Sequence, residues 1–225
     1  MSNEENLTPV EITIRIRRSV RQYRADPVPR ELILRILDSA RWAPSAMNRQ
    51  PWHFVVVTQP ERRTALAQST RILGVVPPHV AQAPVLIALC GDERRTSWYV
   101  HDCCLASQNL MLAAKALGLG TCWIGAFDEE QAAEVLGLPK GVRVVGLITL
   151  GYPVHVEQRP TPRLPLEQVV HWEGFSAPET WGSRAERVRR SGVLSLWRRI
   201  VDFLGFGAIR QGIHPGSRGH TEDSD

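Results

Sequence analysis

The chain has 225 residues and an apolar content of 43%, enough for one substantial core or two small ones and ordinary for a globular protein. No apolar run reaches the roughly 18–20 residues of a membrane-spanning helix, and the polar, acidic start Met1-Ser2-Asn3-Glu4-Glu5-Asn6 lacks the apolar core of a secretory signal. The net charge of +4 is uneven: residues 182–212 carry seven arginines against Glu186 and Asp202, a surplus of five, so the rest sums to −1 and the basic pI is no argument for a nucleic-acid surface on the main domain.

Thr8-Pro9 with Glu11 supplies an N-cap, a proline at the first helical position and an acid at the third, which predicts a helix. The alternation Ile12, Ile14, Ile16 suits a strand, but the cap signals favour the helix. Pro29 opens a second helix with Leu32, Ile33, Ile36, Leu37 and Ala40 on one face, and Pro44 ends it. Phe54-Val55-Val56-Val57 reads as a buried strand closed by Thr58-Gln59-Pro60, with residues 61–67 helical. Residues 75–81, with Pro77-Pro78, read as a loop that can lie over a site. Val85-Leu86-Ile87-Ala88-Leu89 is a second buried strand. A long helix is expected over 97–117, its stripe being Val100, Cys104, Ser107, Met111, Ala114 and Leu117, with Gly118 as a left-handed cap. Thr121-Cys122-Trp123-Ile124-Gly125 is a short strand. Asp128 caps a helix over 129–136 that Gly137 and Pro139 stop. Residues 142–150 form another apolar strand, halted at Gly151-Tyr152-Pro153. Helices and strands interleave, so the class is mixed α and β, with no internal repeat.

Residues 155–165 hold three prolines and read as an extended segment, followed by a short element over 166–172. The composition then changes. The expected division is a folded domain over 8–173 and an extension over 174–225. Within the extension, 184–206 is a basic amphipathic segment and 213–225 a disordered end. The amphipathic segment fits packing on the core or on a partner subunit better than an anionic membrane surface, though it suits both. Cys90, Cys103, Cys104 and Cys122 form no C-x-x-C pair, and no histidine cluster has metal spacing. They read as free buried thiols of a reducing cytoplasm.

Two segments carry the chemistry. Arg17-Arg18-Ser19-Val20-Arg21 packs three guanidinium groups and a hydroxyl into five residues, the donors a phosphate monoester needs. The plain alternative is a solvated basic helix end that offsets the helix dipole. Ala43-Pro44-Ser45-Ala46-Met47-Asn48-Arg49-Gln50-Pro51-Trp52 offers hydroxyl and amide groups suited to a heteroaromatic edge, beside indole walls; any one of these residues alone is ordinary loop material. Trp42, His53, Trp98, Tyr99, Trp123 and Phe127 are candidate pocket walls, each equally suited to a core or interface. His101 and Asp102, adjacent on a helix, do not face one another and are set aside as an acid pair.

These two segments resemble the FMN-dependent nitroreductase family. So do Leu117-Gly118-Leu119-Gly120-Thr121-Cys122-Trp123-Ile124-Gly125, Leu136-Gly137-Leu138-Pro139 with Gly151-Tyr152-Pro153, and Pro162-Arg163-Leu164-Pro165-Leu166-Glu167, all in order over residues 14–172. The resemblance implies an α+β fold, a three-layer α/β/α arrangement with a mixed, mainly antiparallel central sheet, in an intertwined homodimer with FMN at the interface. It implies that Arg17, Arg18, Ser19 and Arg21 hold the phosphate, ribityl chain and ring edge. Pro44, Ser45, Ala46, Asn48 and, more weakly, Gln50 would reach the ring from the partner subunit. Trp123, Ile124 and Gly125 would line its other side, with a backbone N–H near Gly125 directed at flavin N5, and Arg163 would close on the phosphate. Many relatives carry a second basic residue two positions earlier; this chain has Thr161, which leaves Arg159 as a substitute. The implied activity is ping-pong hydride transfer from NADH or NADPH to nitroaromatics, quinones or similar small oxidants. No side-chain catalyst is called for, because the flavin carries the chemistry. The family also includes dehalogenases, ene-reductases, dehydrogenases and a flavin-fragmenting synthase, and the shared motifs do not choose among them. A rival of another class is a flavin carrier without turnover, or a peripheral membrane protein organised by the tail.

Overall fold

The computed structural model describes residues 6–71, 73–155 and 162–176. The chain divides into two units, Met1–Thr161 and Pro162–Asp225. The basic segment over 184–206, Arg159 and Thr161 lie outside the described residues.

In the first unit the elements follow in the order α1 (Pro9–Ile16), α2 (Arg30–Ala40), β1 (Trp52–Val57), α3 (Pro60–Gln68), α4 (Pro78–Ala81), β2 (Val85–Asp92), α5 (Tyr99–Ala116), β3 (Gly120–Ile124), α6 (Glu129–Leu136) and β4 (Val142–Gly151). The capping reading of α1 holds: Thr8 accepts from the Glu11 N–H at 3.3 Å, and Glu11 accepts from the Thr8 N–H at 2.8 Å. Asp128 caps α6 through the Gln131 N–H at 2.9 Å, and Gly137 ends it at φ 67°. Helix α2 stops at Ala40, before Pro44 acts on it. Residues 75–81 are not wholly a loop, because Pro78 starts the one-turn α4 and Val80 plugs it into the core.

The four strands pair in the order β1-β2-β4-β3, each neighbour antiparallel. The only parallel pairing among the described residues is the single bridge Ser19↔Thr121. Alternation along β2 feeds both faces of the sheet: Leu86, Ala88 and Cys90 join a core with Leu66 of α3, Val80 of α4 and Ala132 of α6. Val85 and Ile87 join Ile33 and Ile36 of α2 and Leu110 and Ala114 of α5. All eight residues of β2 are buried, as a strand covered on both faces requires.

The stripe of α5 differs from the expected one. The buried positions are Asp102, Cys103, Ala106, Ser107, Leu110 and Ala114, whereas Val100 and Cys104 are exposed and Met111 is half-buried. The helix has apolar residues on more than one side, so periodicity did not choose the side. Small Ala106 and Ala114 take the face set against α2 and the sheet, one residue, or about 100°, round from the expected stripe. Of the four thiols, Cys90, Cys103 and Cys122 are buried and Cys104 is exposed, all unpaired.

In the second unit, a single turn of 3-10 helix, Leu166–Gln168, supplies the short element expected over 166–172.

Candidate functional site

The segment Arg17–Arg21 leaves α1 in extended conformation, starting at Arg17 (φ −63°, ψ 133°). It is stitched to the sheet at both ends. The Val20 N–H donates to the Thr121 carbonyl at 2.9 Å, continuing the Ser19↔Thr121 bridge. Farther on, Tyr23 bridges Pro153, the Arg24 N–H donates to the Tyr152 carbonyl at 2.9 Å, and the Val154 N–H donates to the Gln22 carbonyl at 3.1 Å. The buried Tyr23 hydroxyl lies 2.6 Å from the Val20 carbonyl and 2.6 Å from Thr149 Oγ1, and its burial raises its pKa. Thr149 Oγ1 in turn accepts from the Cys122 N–H at 3.1 Å. These contacts explain why a short basic run between two helices holds one shape.

The side chains then separate. Ser19 lies beside the Cys122 thiol, whose pKa burial raises against the opposing pull of Arg21, Ser19 and Arg17 nearby. Arg21 is exposed and near His79 of α4, whose pKa falls mainly through burial and further through Arg21. Arg18 Nη1 turns back onto the carbonyls of Arg15 and Arg17 at 2.6 and 2.7 Å. Arg17 and Arg18 line a cavity of about 90 Å³ together with Lys115, Gly120, Pro153 and His155. A larger cavity, about 190 Å³, opens along the outer edge of β1 beside Arg62 and Leu136 and contains no residue of the basic or turn segments.

The second segment is a strained turn. Met47, Asn48 and Gln50 stand at φ 51°, 54° and 47°, in the left-handed region that non-glycine residues seldom occupy. Three contacts hold it there. The Ala46 N–H lies 3.2 Å from each carboxylate oxygen of buried Asp102, the Gln50 N–H donates to Ser45 Oγ at 3.0 Å, and Arg95 Nη1 donates to the carbonyls of Arg49 and Gln50, each at 3.2 Å. Asn48 and Gln50 remain exposed and touch each other, Gln50 Nε2 to Asn48 Oδ1 at 3.1 Å, while Pro44 is exposed and Ser45 and Ala46 are half-buried. The Asn48 and Gln50 amides thus stand exposed on a backbone fixed from behind.

Trp123 and Ile124 end β3, with Ile124 buried and Gly125 exposed. The Trp123 indole crosses Gly146, where an added Cβ would lie 2.2 Å from its ring. Gly146 adjoins the irregularity where β2 pairs Leu89 with Gly146 and then Cys90 with Val144. A side chain at Gly146 would displace the ring. Arg163 belongs to the second unit, where its Nη1 donates to the Pro162 carbonyl at 3.4 Å. Of the candidate walls, Trp42, Trp98 and His53 are exposed, Phe127 packs into the α3–α6 core, and Tyr99 packs on Gly91.

The basic and turn segments stand near opposite ends of α5. Lys115, in the last helical turn, borders the basic cavity, and Asp102, in the first turn, holds the strained turn. Thirteen residues of helix separate them, about 20 Å. Sequence reasoning missed Asp102 as the anchor of the turn, because its partner is a backbone group 56 residues away. It also missed Lys115 and His155, which belong to no motif, and Tyr23, whose hydroxyl could not be placed without Thr149. Among the described residues no group of three or more His, Cys, Asp or Glu is arranged to hold a metal.

The donor types fit a flavin mononucleotide: cations for its phosphate in the basic segment, neutral amide groups and exposed indoles for its ring in and around the turn segment. The fold and these two donor sets define an α+β protein suited to a ligand that carries both an anionic group and an aromatic body. Sequence comparison agrees. Residues 14–152 match the model of the Nitroreductase family, and the chain belongs to that family. It is 40% identical over 150 residues to a putative NADH dehydrogenase/NAD(P)H nitroreductase of Methanothermobacter thermautotrophicus, covering 62% of this chain and 75% of the relative. The crystal structure of a putative NADH dehydrogenase/NAD(P)H nitroreductase from Parabacteroides distasonis superposes with a TM-score of 0.69 at 30% identity, over 75% of this chain and all (100%) of that one. An FMN-dependent nitroreductase from Clostridium difficile superposes with a TM-score of 0.66 at 27% identity, over 72% of this chain and 98% of that one.

Proposed function

We propose that the protein is an FMN-dependent oxidoreductase that takes electrons from NADH or NADPH and reduces nitroaromatics, quinones or related small acceptors in a ping-pong cycle. The observation that carries the reading is the pairing of a cationic cavity with an outward-facing amide turn, each held rigidly from behind, in a chain of this family. Arg17, Arg18, Ser19 and Arg21 hold the phosphate and ribityl end. Trp123, Ile124 and Gly125 line the ring, with a backbone N–H near Gly125 available to its edge. When bound, FMN supplies the hydride acceptor and donor chemistry, so no acid–base side chain is required. The protein's part is to fix the ring, exclude water from one face and leave the other open to small planar substrates.

The working unit is a homodimer in which Pro44, Ser45, Ala46, Asn48 and Gln50 of one copy cover the cofactor held by the other. The separation along α5 supports this, because the two segments of one chain stand about 20 Å apart. So does α1, which has no buried residue although Val10, Ile12, Ile14 and Ile16 are 64%, 43%, 50% and 46% exposed. A helix this apolar and uncovered is a contact surface. Val100 and Leu105 of α5 are exposed as well. The cytoplasm suits the four unpaired thiols. Among the described residues no helix is long and apolar enough to cross a membrane.

The deciding experiment is the visible spectrum of the purified protein before and after NADH or NADPH. A flavin band that bleaches with one nucleotide and returns with a nitroaromatic or quinone supports the reading and identifies the donor. A colourless protein that takes up no added FMN overturns it. Flavin destruction under oxygen, or turnover of a halogenated phenol alone, assigns another chemistry of the family. An isolated monomer that holds FMN tightly removes the shared site while leaving the cofactor.

A further inference from the structure

We propose that Lys115 and His155 complete a phosphate-monoester subsite with Arg17 and Arg18. The proposal rests on the flavin reading above and adds to it two residues that no motif contains.

The four side chains border one cavity of about 90 Å³, and among the described residues of its lining none is acidic. A cavity of this kind has room for several waters, and so for a tetrahedral oxyanion. Its neighbours are brought together from three places in the sequence, and each is delivered by a contact already described. The bridge from Ser19 to Thr121 sets Arg17 and Arg18 beside the start of β3. The bridge from Tyr23 to Pro153, with the Val154 N–H on the Gln22 carbonyl at 3.1 Å, brings the chain after β4 alongside and places His155 at the rim. The reversal from α5 to β3 puts Lys115 on the same cavity.

The ordinary duty of a lysine in a last helical turn is to offset the helix dipole and cap open carbonyls. Here the backbone already caps α5. The Gly118 N–H donates to the Lys115 carbonyl at 3.1 Å and the Leu119 N–H to the Ala114 carbonyl at 2.9 Å, with Gly118 at φ 75°. Among the described residues Lys115 and His155 enter no salt bridge. Arg17 and Lys115 bring two formal positive charges to this space, and a phosphate monoester carries about −1.5 to −2 near neutrality.

Two phosphate monoesters are available to an enzyme of this class, that of FMN and the 2′-phosphate of NADPH, and the test separates them. Wild type and Lys115→Met are titrated with FMN and with riboflavin, which has the same ring and ribityl chain but no phosphate. The FMN dissociation constant is expected to rise about tenfold or more in Lys115→Met with riboflavin unchanged. His155→Gln gives a smaller shift of the same kind, and Lys115→Arg restores FMN binding. If the FMN-to-riboflavin ratio holds but KM for NADPH rises while that for NADH does not, the subsite stands with the dinucleotide as its source. Thermal shift by inorganic phosphate supplies a readout without flavin: phosphate stabilises wild type but not Lys115→Met. A wild type that binds neither flavin yet keeps this phosphate shift loses the cofactor reading and retains the subsite. Unchanged FMN-to-riboflavin ratio, unchanged NADPH-to-NADH preference and an unchanged phosphate shift in Lys115→Met overturn the proposal.

Discussion

The two ends of α5 present ligand-facing groups by opposite means. At its C-terminal end the backbone is regular. Arg17–Arg21 runs extended along β3, and the chemistry resides in charged side chains that reach into a small cavity. At its N-terminal end the side chains are neutral and short, and what is unusual is the backbone, with Met47, Asn48 and Gln50 all at positive φ. Charge tolerates some freedom of a long side chain, because Coulomb attraction falls off slowly with distance. Neutral hydrogen bonds do not, so the turn is pinned by Asp102, Ser45 and Arg95 before it can offer its amides.

The largest expected effect breaks both ends at once. Gly146→Val drives a side chain into the Trp123 ring, which packs against both the α2–α5 core and the cluster of Ala43, Trp52 and Cys103. A loss of about 3 kcal/mol is expected in urea unfolding, with weakened flavin uptake. Arg21→Ala acts on the charged end. It should raise the FMN dissociation constant about tenfold to 150-fold, read by flavin fluorescence, with little change in stability because Arg21 is exposed. Asp102→Ala acts on the pinned end through the backbone. It leaves the Ala46 N–H without its partner, should lower stability by about 1–3 kcal/mol, and should speed tryptic cleavage after Arg49 within the freed turn. Asn48→Ala removes a single neutral group and should weaken FMN binding only about two- to tenfold. An Asn48→Ala effect equal to that of Arg21→Ala would undo the contrast between the two ends.

The smallest effect is a control in acid, at a carboxylate that reaches the turn only through a long contact with Arg95, 3.8 Å away. The Arg94 guanidinium, 2.8 Å away, holds the Asp92 carboxyl down at about 2. A carboxyl with a depressed folded pKa stabilises fully above its ordinary value near 3.9, and that stabilisation fades as pH falls toward 2. Asp92→Asn should therefore flatten the stability profile between about pH 4 and pH 2 and leave flavin affinity unchanged at pH 7.

Much of the fold was legible because it rests on local chemistry. The Thr8–Glu11 box, the Asp128 cap and the left-handed Gly118 and Gly137 are short-range devices, and each stands where the residue types place it. The candidate site was legible only as residue types. Arg17, Ser19, Asn48 and Gln50 could be named, but not the cavity that Arg17 shares with Lys115 and His155. The stripe of α5 failed for a related reason: Val100, Leu105 and Leu110 offer the helix several apolar sides, and only packing against α2 and the sheet selects Leu110 for the core.

Sequence alone determined the caps of α1 and α6, the apolar run of β2, and the family to which the motifs point, because caps, apolar runs and motif order are properties of neighbouring residues. Tertiary structure decided what those residues face. It set Asp102 behind Ala46, Thr149 against the Tyr23 hydroxyl, and Gly146 beneath the Trp123 ring. Each of these pairs joins residues more than twenty positions apart. No local preference encodes such a contact; it forms only when burial of the whole sheet brings the partners into reach.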